Sequence, residues 1–187
     1  MFHVEQNVTN EIVALLLQAD LHPRGIAEKL STNHMTVSRK LRELVEDNVV
    51  DYRVEGKNNV YFLKKSIEGR NAAMIAEIYK QSQVISRYPV LRGIFMSVQE
   101  LPDIHLAVLF GSYAKGLAAK GSDIDIYLET DSIAMKKQLE QKHSSLSIKI
   151  GKFDTGSILI REIIKNHVII KGVEVFIDKT WLPQKTA

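Results

Sequence analysis

Two short motifs of this chain contain residues suited to phosphate and metal chemistry. Gly111-Ser112 follows the apolar run LAVLF. Asp123 directly precedes the segment IDIYL, and Asp125 is its second residue. Because residues two apart in a strand project from the same face, the two carboxylates are expected to lie together. Two close carboxylates repel each other unless a cation neutralises them. Oxygen ligands on a rigid strand suit Mg²⁺, which typically takes one or two carboxylates plus water and phosphate.

The Gly-Ser pair supplies the complementary half of such a site. After a buried strand it is expected to open a turn or helix, where exposed N–H groups and the Ser112 hydroxyl can hold a phosphate. A phosphate cradle facing two metal-binding aspartates predicts phosphoryl or nucleotidyl transfer. The alternative is a plain strand–turn–strand in which Ser122 caps the turn and the aspartates face solvent.

The elements needed to position these residues can be traced along the second half of the chain. Helices are predicted over 66–88 and from Pro89 onward, from apolar residues at offsets of three and four. After Pro102 the pattern predicts strand, turn, strand, a helix (132–143), a strand (146–150), a helix (156–166) and an apolar strand pair around 168–177. This order predicts an α+β class with a small mixed sheet.

The spacing of the two motifs carries a specific resemblance. Phe110-Gly111-Ser112, ten residues, then Asp123-Ile124-Asp125-Ile126 resembles the signature of the polymerase-beta-like nucleotidyltransferase superfamily. The string GSYAKGLAAKGSDIDIYL is similar to its minimal nucleotidyltransferases, which include antibiotic nucleotidyltransferases and toxin–antitoxin proteins. The resemblance covers roughly residues 90–178.

The resemblance implies a function and roles for particular residues. NMP would pass from a nucleoside triphosphate to a hydroxyl acceptor, with Gly111, Ser112 and Lys115 binding the nucleotide. Asp123 and Asp125 would be catalytic and hold two Mg²⁺ ions that bridge the phosphates. Lys115 stands where these proteins often carry arginine, so the charge is kept and the bidentate fork is lost.

One part of that signature is missing from this chain. These enzymes usually present a third carboxylate on a later strand, and the matching strand, LSIKIG, offers Ser147 and Lys149. Asp154, past the strand end, is predicted to substitute as the third catalytic carboxylate; Glu129 lies on the face of the aspartates but further along. A lysine could also neutralise the aspartates, which would leave a nucleotide-binding module without turnover.

The first third of the chain predicts three helices and a β-hairpin. The helices are expected over 7–18 with Thr9 as N-cap, over 22–30, and over 31–48 with Asn33 as N-cap. The strands VVDYRV and NVYFLK flank a turn at EGKN. This order resembles the winged helix-turn-helix families of bacterial and archaeal regulators. The predicted domains are a winged helix-turn-helix at 1–65, a connecting helix at 66–88 and a nucleotidyltransferase domain at 89–187.

The third helix would then face DNA. Val37, Leu41 and Leu44 are expected to face the core, which leaves its polar N-terminal half available to base edges. Arg39 is the candidate for a guanine contact, and Arg53 of the hairpin could hold a phosphate. The predicted DNA-binding residues are Asn33, His34, Thr36, Ser38, Arg39, Lys40, Arg42 and Lys57. The alternative is a basic face used for protein contacts or dimerisation.

Composition sets broad limits on location and partners. The net charge of +3 permits an anionic partner, and the chain has no cysteine. No apolar run approaches the roughly 20 residues needed to cross a bilayer, so a cytoplasmic protein without a membrane partner is expected. The expected partners are a nucleoside triphosphate and double-stranded DNA, with a toxin or other protein as acceptor and a homodimer left open. Two other functions stay open: a transcriptional regulator that binds nucleotide without turnover, and an antitoxin-type nucleotidyltransferase.

Overall fold

The computed structural model describes residues 2–181, with side chains from residue 7 onward, and confirms the α+β class. The helices of the described residues are α1 (Phe2–Leu16), α2 (Pro23–Lys29), α3 (His34–Glu46), α4 (Ile67–Arg87), α5 (Leu91–Gln99), α6 (Gly111–Ala114), α7 (Ile133–Lys142), α8 (Ile158–Lys165) and α9 (Val173–Thr180). The strands are β1 (Val50–Glu55), β2 (Asn58–Leu63), β3 (Ala107–Phe110), β4 (Ile124–Glu129), β5 (Leu146–Gly151) and β6 (Val168–Lys171).

The chain divides into two compact units, residues 1–79 and 80–187. The division falls inside α4, the helix that the sequence predicts over 66–88. The prediction of one long helix is confirmed, since no proline interrupts these residues.

The first unit contains α1 to α3 and an antiparallel hairpin. The pairing of β1 with β2 runs from Val50↔Leu63 to Glu55↔Asn58, and Gly56 takes a φ of +63° in the turn. Leu21, just before α2, exchanges two backbone hydrogen bonds with Tyr61 of β2 at 3.0 and 2.9 Å. The predicted helices and hairpin therefore form, and the segment before α2 adds a short bridge to the hairpin.

The structure confirms two predictions about the ends of these helices and contradicts one. Pro23 occupies the first turn of α2, and the Asn33 side chain accepts a hydrogen bond of 2.7 Å from the Met35 N–H. The prediction of Thr9 as an N-cap is wrong, since α1 begins at Phe2 and Thr9 lies inside it. No glycine or proline separates Phe2 from Thr9, so the helix continues through the polar residues ahead of its apolar face.

The second unit is built on a mixed sheet of strand order β5-β4-β3-β6. The pairing of β4 with β5 is parallel, and β3 pairs antiparallel with both β4 and β6. Alternate residues of β4 enter two cores: Ile124, Ile126 and Leu128 pack with α5, and Tyr127 packs with residues of α8 and α9. Both faces of the central strands are therefore buried, as their continuous apolar runs indicate.

The prediction of a final strand pair around 168–177 is wrong. Only Val168–Lys171 forms a strand, and the chain then turns at Gly172, whose φ is +83°, into α9. A Cβ at residue 172 would overlap the carbonyl of His105, so the turn requires glycine. Phe176 and Ile177 lie on the buried face of α9. Short apolar runs do not distinguish a buried strand from a buried helix, which explains the error.

Candidate functional site

The Gly-Ser pair lies where a strand ends and a short helix begins. Phe110, the last residue of β3, is extended, and Gly111 opens α6 with a φ of +71°. In the antiparallel register Phe110 pairs with Asp125 of β4, so Gly111 comes next to that aspartate. A Cβ built on Gly111 would overlap Oδ2 of Asp125 and lie 3.1 Å from its Cγ. The fold thus brings the two predicted motifs into direct contact.

The two aspartates lie on either side of Ile124, the first residue of β4. Asp123 directly precedes the strand and is exposed, while Asp125 is half-buried between the buried residues Ile124 and Ile126. Among residues 7–181, neither carboxylate forms a hydrogen bond or an ion pair with another side chain. Their oxygens are therefore available to a ligand from outside the chain.

This donor set fits a magnesium ion. Mg²⁺ is usually held by one or two carboxylates plus water and substrate phosphates, and two unpaired carboxylates beside a backbone N–H cradle supply the protein's share. Within the described residues no cluster of three or more His, Asp or Glu side chains is placed to hold a metal. Water and the phosphates would therefore have to supply the remaining ligands.

Strand β5 lies beside the aspartates without adding an acid. Ser147 is the parallel register partner of Asp125, and Lys149 is the partner of Tyr127 one pair further on. Lys149 is exposed, and within the described residues it forms no ion pair with Asp123 or Asp125. The side chain nearest to Asp125 on this strand is therefore a neutral hydroxyl.

Asp154 stabilises the turn that leads into α8. Its Oδ1 accepts a hydrogen bond of 2.9 Å from the Gly156 N–H, and its carbonyl accepts one of 3.0 Å from Ser157. The side chain is exposed, so it can leave this turn without unfolding a core.

Glu129, the other acid on the face of Asp125, is held in place by its own partners. Lys179 of α9 donates to its two oxygens at 2.5 and 2.6 Å, and the Phe153 N–H donates at 3.2 Å. Beside it, the Tyr127 hydroxyl donates to the Gly151 carbonyl at 2.7 Å. Burial, and then the charges of Glu129 and Asp131, raise the pKa of Tyr127. This cluster is structural, because its polar atoms already have partners.

Lys115 lies at the opposite end of α6 from the Gly-Ser cradle. Its N–H donates to the Gly111 carbonyl at 3.2 Å, and its side chain is exposed. The side chain lines a cavity together with Arg87 of α4. Sequence reasoning missed Arg87 because it lies far upstream of the motif, and only Gly116 in GSYAKG hints that another group approaches closely there.

In the first unit, several predicted DNA-binding residues line one groove. The groove, of about 590 Å³, lies between the start of α2, the first half of α3 and the turn of the hairpin. His34, Ser38 and Lys57 line it, together with Arg24 of α2. Asn33 caps α3 at the same end, and Thr36 is half-buried. The structure thus groups the N-terminal part of α3 with Lys57.

Lys40 is not on this surface, which corrects the prediction that it points outward. Its side chain is 10% exposed, and its ammonium pairs with Glu43 at 2.8 Å. Positions 37, 40, 41 and 44 recur at offsets of three and four, so Lys40 falls on the buried stripe of α3. Its hydrogen bond is the main cause that lowers the pKa of Glu43.

The arginines near the groove are partly engaged. Arg39 is about half exposed and pairs with Glu43 at 3.0 Å, and Arg42 donates to the Ser38 carbonyl at 3.4 Å. Arg53 of β1 pairs with Asp20 and Glu55, and these hydrogen bonds raise its pKa. A phosphate would have to displace Asp20 and Glu55 from Arg53. Lys57, in contrast, forms no ion pair within the described residues.

Comparison with known proteins agrees with the geometry of the second unit. Residues 94–179 match the family model described as polymerase beta, nucleotidyltransferase. No curated protein matches the chain. A solved structure described as "Crystal structure of the toxin-antitoxin with AMP-PNP" is similar at 24% identity and a TM-score of 0.35, over 55% of this chain and 84% of that one. Within the described residues, the structure contains no helix that could span a membrane.

Proposed function

We propose that the chain is a Mg²⁺-dependent nucleotidyltransferase that moves NMP from a nucleoside triphosphate to a hydroxyl acceptor. The family match over residues 94–179 supports the class of reaction. The observation that carries the proposal is the contact of Gly111 with the Asp125 carboxylate, because it joins a phosphate cradle to a metal ligand. Neither feature alone would favour transfer over a simple strand–turn–strand.

Each part of this site has a definable task. The N–H groups at the start of α6 and the Ser112 hydroxyl hold the triphosphate, while Asp123 and Asp125 hold the metal. Magnesium, when bound, supplies positive charge at the phosphates. The acceptor oxygen bonds to the α-phosphorus, the bond from that phosphorus to the bridging oxygen breaks, and pyrophosphate leaves. The acceptor proton goes to a base or to water.

Asp154 is the proposed base. It is the exposed carboxylate that follows β5, the neighbour of the aspartate strand. Releasing its hydrogen bond to Gly156 would free the carboxylate to approach a bound nucleotide. A positioned base typically contributes 10²–10⁴-fold to rate.

We propose that the first unit is a winged helix that binds double-stranded DNA. Its three helices, hairpin and groove supply the expected shape, and Arg24, His34 and Lys57 give the groove basic character. Arg39, which is half exposed, would contact a base edge after releasing its partners in this unit, Glu43 among them.

A second candidate function is nucleotide binding without turnover, as in a regulator with a nucleotide effector. The absence of a three-acid cluster among residues 7–181 favours it. The two functions share the nucleotide site and differ only in whether a product forms.

Two measurements test the proposal. Calorimetry with ATP and Mg²⁺ should show metal-dependent binding that is lost in the double variant Asp123→Asn/Asp125→Asn and kept in Asp103→Asn, an exposed aspartate of the same unit. Unchanged affinity in the double variant would refute the site. Incubation with labelled ATP, CTP, GTP and UTP, with and without lysate, should give a labelled product; binding without any product would favour the second candidate.

A further inference from the structure

A second cavity, of about 330 Å³, lies in the second unit beside the far end of α6. The end of α4 provides one wall with Gln83, Val84 and Arg87, and Tyr88 follows directly after the helix. The other wall is the end of α6, with Ala114, Lys115 and Gly116. The cavity is open to solvent, and α6 connects it to the Gly111-Ser112 cradle at its other end.

The Arg87 guanidinium is held on two sides. Gly116 takes a φ of +70°, and a Cβ built there would lie 2.9 Å from Nη1 of Arg87. The guanidinium also lies 5.5 Å from the centroid of the Tyr88 ring, which in turn packs edge-on against Tyr113 at 5.0 Å. Gly116 and the tyrosine pair therefore position Arg87 next to Lys115 and limit the freedom of its long side chain.

The cavity contains positive charge without a compensating acid. No acidic side chain is among the described residues that line it. Arg87 and Lys115 form no ion pair with any carboxylate in the part of the chain that the structure describes. Both cations line the same cavity, so an anion bound there is attracted by both of them. A guanidinium matches a phosphate in particular, because its parallel N–H groups can bind two oxygens at once.

We propose that Arg87 and Lys115 form a phosphate-binding site, with Arg87 as a specificity residue outside the Gly-Ser and aspartate motifs. Lys115 alone keeps the charge of an arginine but not its fork, and Arg87 supplies the fork from α4. The phosphate belongs either to the nucleotide or to the acceptor. Its assignment to a substrate of the transfer reaction rests on the proposed function, whereas the binding of an anion in this cavity does not.

The test is a titration of the full chain with inorganic pyrophosphate in the absence of Mg²⁺, followed through backbone amide resonances. The amides of Tyr88, Lys115 and Gly116 should shift and saturate. Arg87→Gln should weaken this affinity about tenfold, the effect of losing a charge-assisted hydrogen bond, and Arg87→Lys should restore part of it. Arg92→Gln, an exposed arginine of α5 outside the cavity, should leave the affinity unchanged.

Two results would overturn the proposal. They are a titration that leaves these amides unmoved, and an equal affinity of Arg87→Gln and the unchanged protein. Repeating the titration with saturating Mg²⁺ and ATP identifies the source: competition indicates a nucleotide phosphate, and persistent binding indicates an acceptor phosphate. In Asp123→Asn/Asp125→Asn the pyrophosphate shifts should remain, so failure of the metal site and failure of this site give different results.

Discussion

Gly111 and Asp125 occupy adjoining space, with no room for a side chain between them. The φ of +71° at Gly111 turns the chain from β3 into α6, and the Asp125 carboxylate occupies the position of the missing Cβ. The same glycine therefore permits the turn and allows the carboxylate to approach the cradle. A substitution at Gly111 would therefore disturb both the turn and the carboxylate.

Gly111→Ala should remove nucleotide binding and destabilise the second unit. The methyl group would displace the Asp125 carboxylate, and the left-handed φ adds about 1 to 2 kcal/mol of strain. Chemical denaturation gives the loss in the free energy of unfolding, and calorimetry with ATP and Mg²⁺ gives the loss of binding.

Gly121→Ala is the matched control for this change. Gly121 has a φ of +87°, but nothing lies within 4 Å of the position that a Cβ would take there, so the variant carries the strain without the overlap. Strain at Gly121→Ala should lower the free energy of unfolding by about 1 to 2 kcal/mol, and the variant should keep nucleotide binding. If both variants bound nucleotide equally well, the contact with Asp125 would not be needed for the site.

In the first unit, substitutions of Lys57 and Lys40 should have different effects, because Lys57 is expected to contact DNA and Lys40 to stabilise the fold. Lys57→Ala should weaken DNA binding evenly across sequences and reduce the salt slope by about one. Lys40→Ala should instead lower the free energy of unfolding, because it removes the partly buried partner of Glu43. Fluorescence anisotropy over a salt series and urea denaturation measure the two effects. A lower salt slope in Lys40→Ala would place Lys40 on the DNA surface after all.

Base readout is a separate prediction for Arg39. If its guanidinium leaves Glu43 for a guanine, Arg39→Ala should lose about 1–3 kcal/mol of discrimination between operator and mutated operator. A selection from random duplexes supplies the operator, and competition binding gives the discrimination. Failure to enrich any motif at physiological salt would contradict base readout.

The order of helices and strands can be predicted from local patterns, and so can the two motifs. Apolar residues at offsets of three and four predict α4, alternation predicts the hairpin, and a continuous apolar run predicts β4, whose two faces are both buried. The same reasoning assigns Lys40 to solvent, since lysine is usually exposed, although its position on α3 is on the apolar stripe. The sequence of segment 173–180 is compatible with a strand or a helix, because the turn at Gly172 that starts the helix depends on a distant contact with His105.

The parts that cannot be predicted depend on distant contacts. Arg87 reaches the end of α6 only through the packing of the second unit, and no local pattern links it to Lys115. The pairing of Lys179 with Glu129 likewise joins α9 to β4. The sequence places Glu129 on the correct face of the strand, and the structure shows that its charge is already neutralised.

Tyr127 should make the second unit sensitive to alkaline pH. Burial raises the pKa of its hydroxyl in the folded protein, whereas an unfolded tyrosine ionises at about pH 10. Stability is therefore complete below about pH 10 and falls as pH rises, by at most about 1.4 kcal/mol per pH unit for one proton. Urea denaturation between about pH 9 and pH 11, on either side of that ionisation, measures the slope. Tyr127→Phe should show a smaller slope, although it loses the hydrogen bond to Gly151 at every pH; an unchanged slope would contradict the assignment.

The last prediction concerns the third carboxylate. Ser147 is the register partner of Asp125, so Ser147→Asp would place an acid directly beside the proposed metal ligands, whereas Lys149→Asp would place it one pair further along. We therefore expect Ser147→Asp to strengthen Mg²⁺ binding more than Lys149→Asp, and isothermal titration with MgCl₂ compares them. If Lys149 were the cation that silences the site, Lys149→Asp would have the larger effect.

Asp154→Asn separates a working enzyme from a nucleotide-binding module. If Asp154 leaves its hydrogen bond to Gly156 and serves as base, transfer should fall about 10²–10⁴-fold while ATP affinity stays nearly constant, because the carboxylate acts on the acceptor proton. Asp103→Asn is again the control. Transfer that survives in Asp154→Asn would assign the base to another group or to water. Transfer that appears only in Ser147→Asp would show that the native chain binds nucleotide and lacks the carboxylate needed to use it.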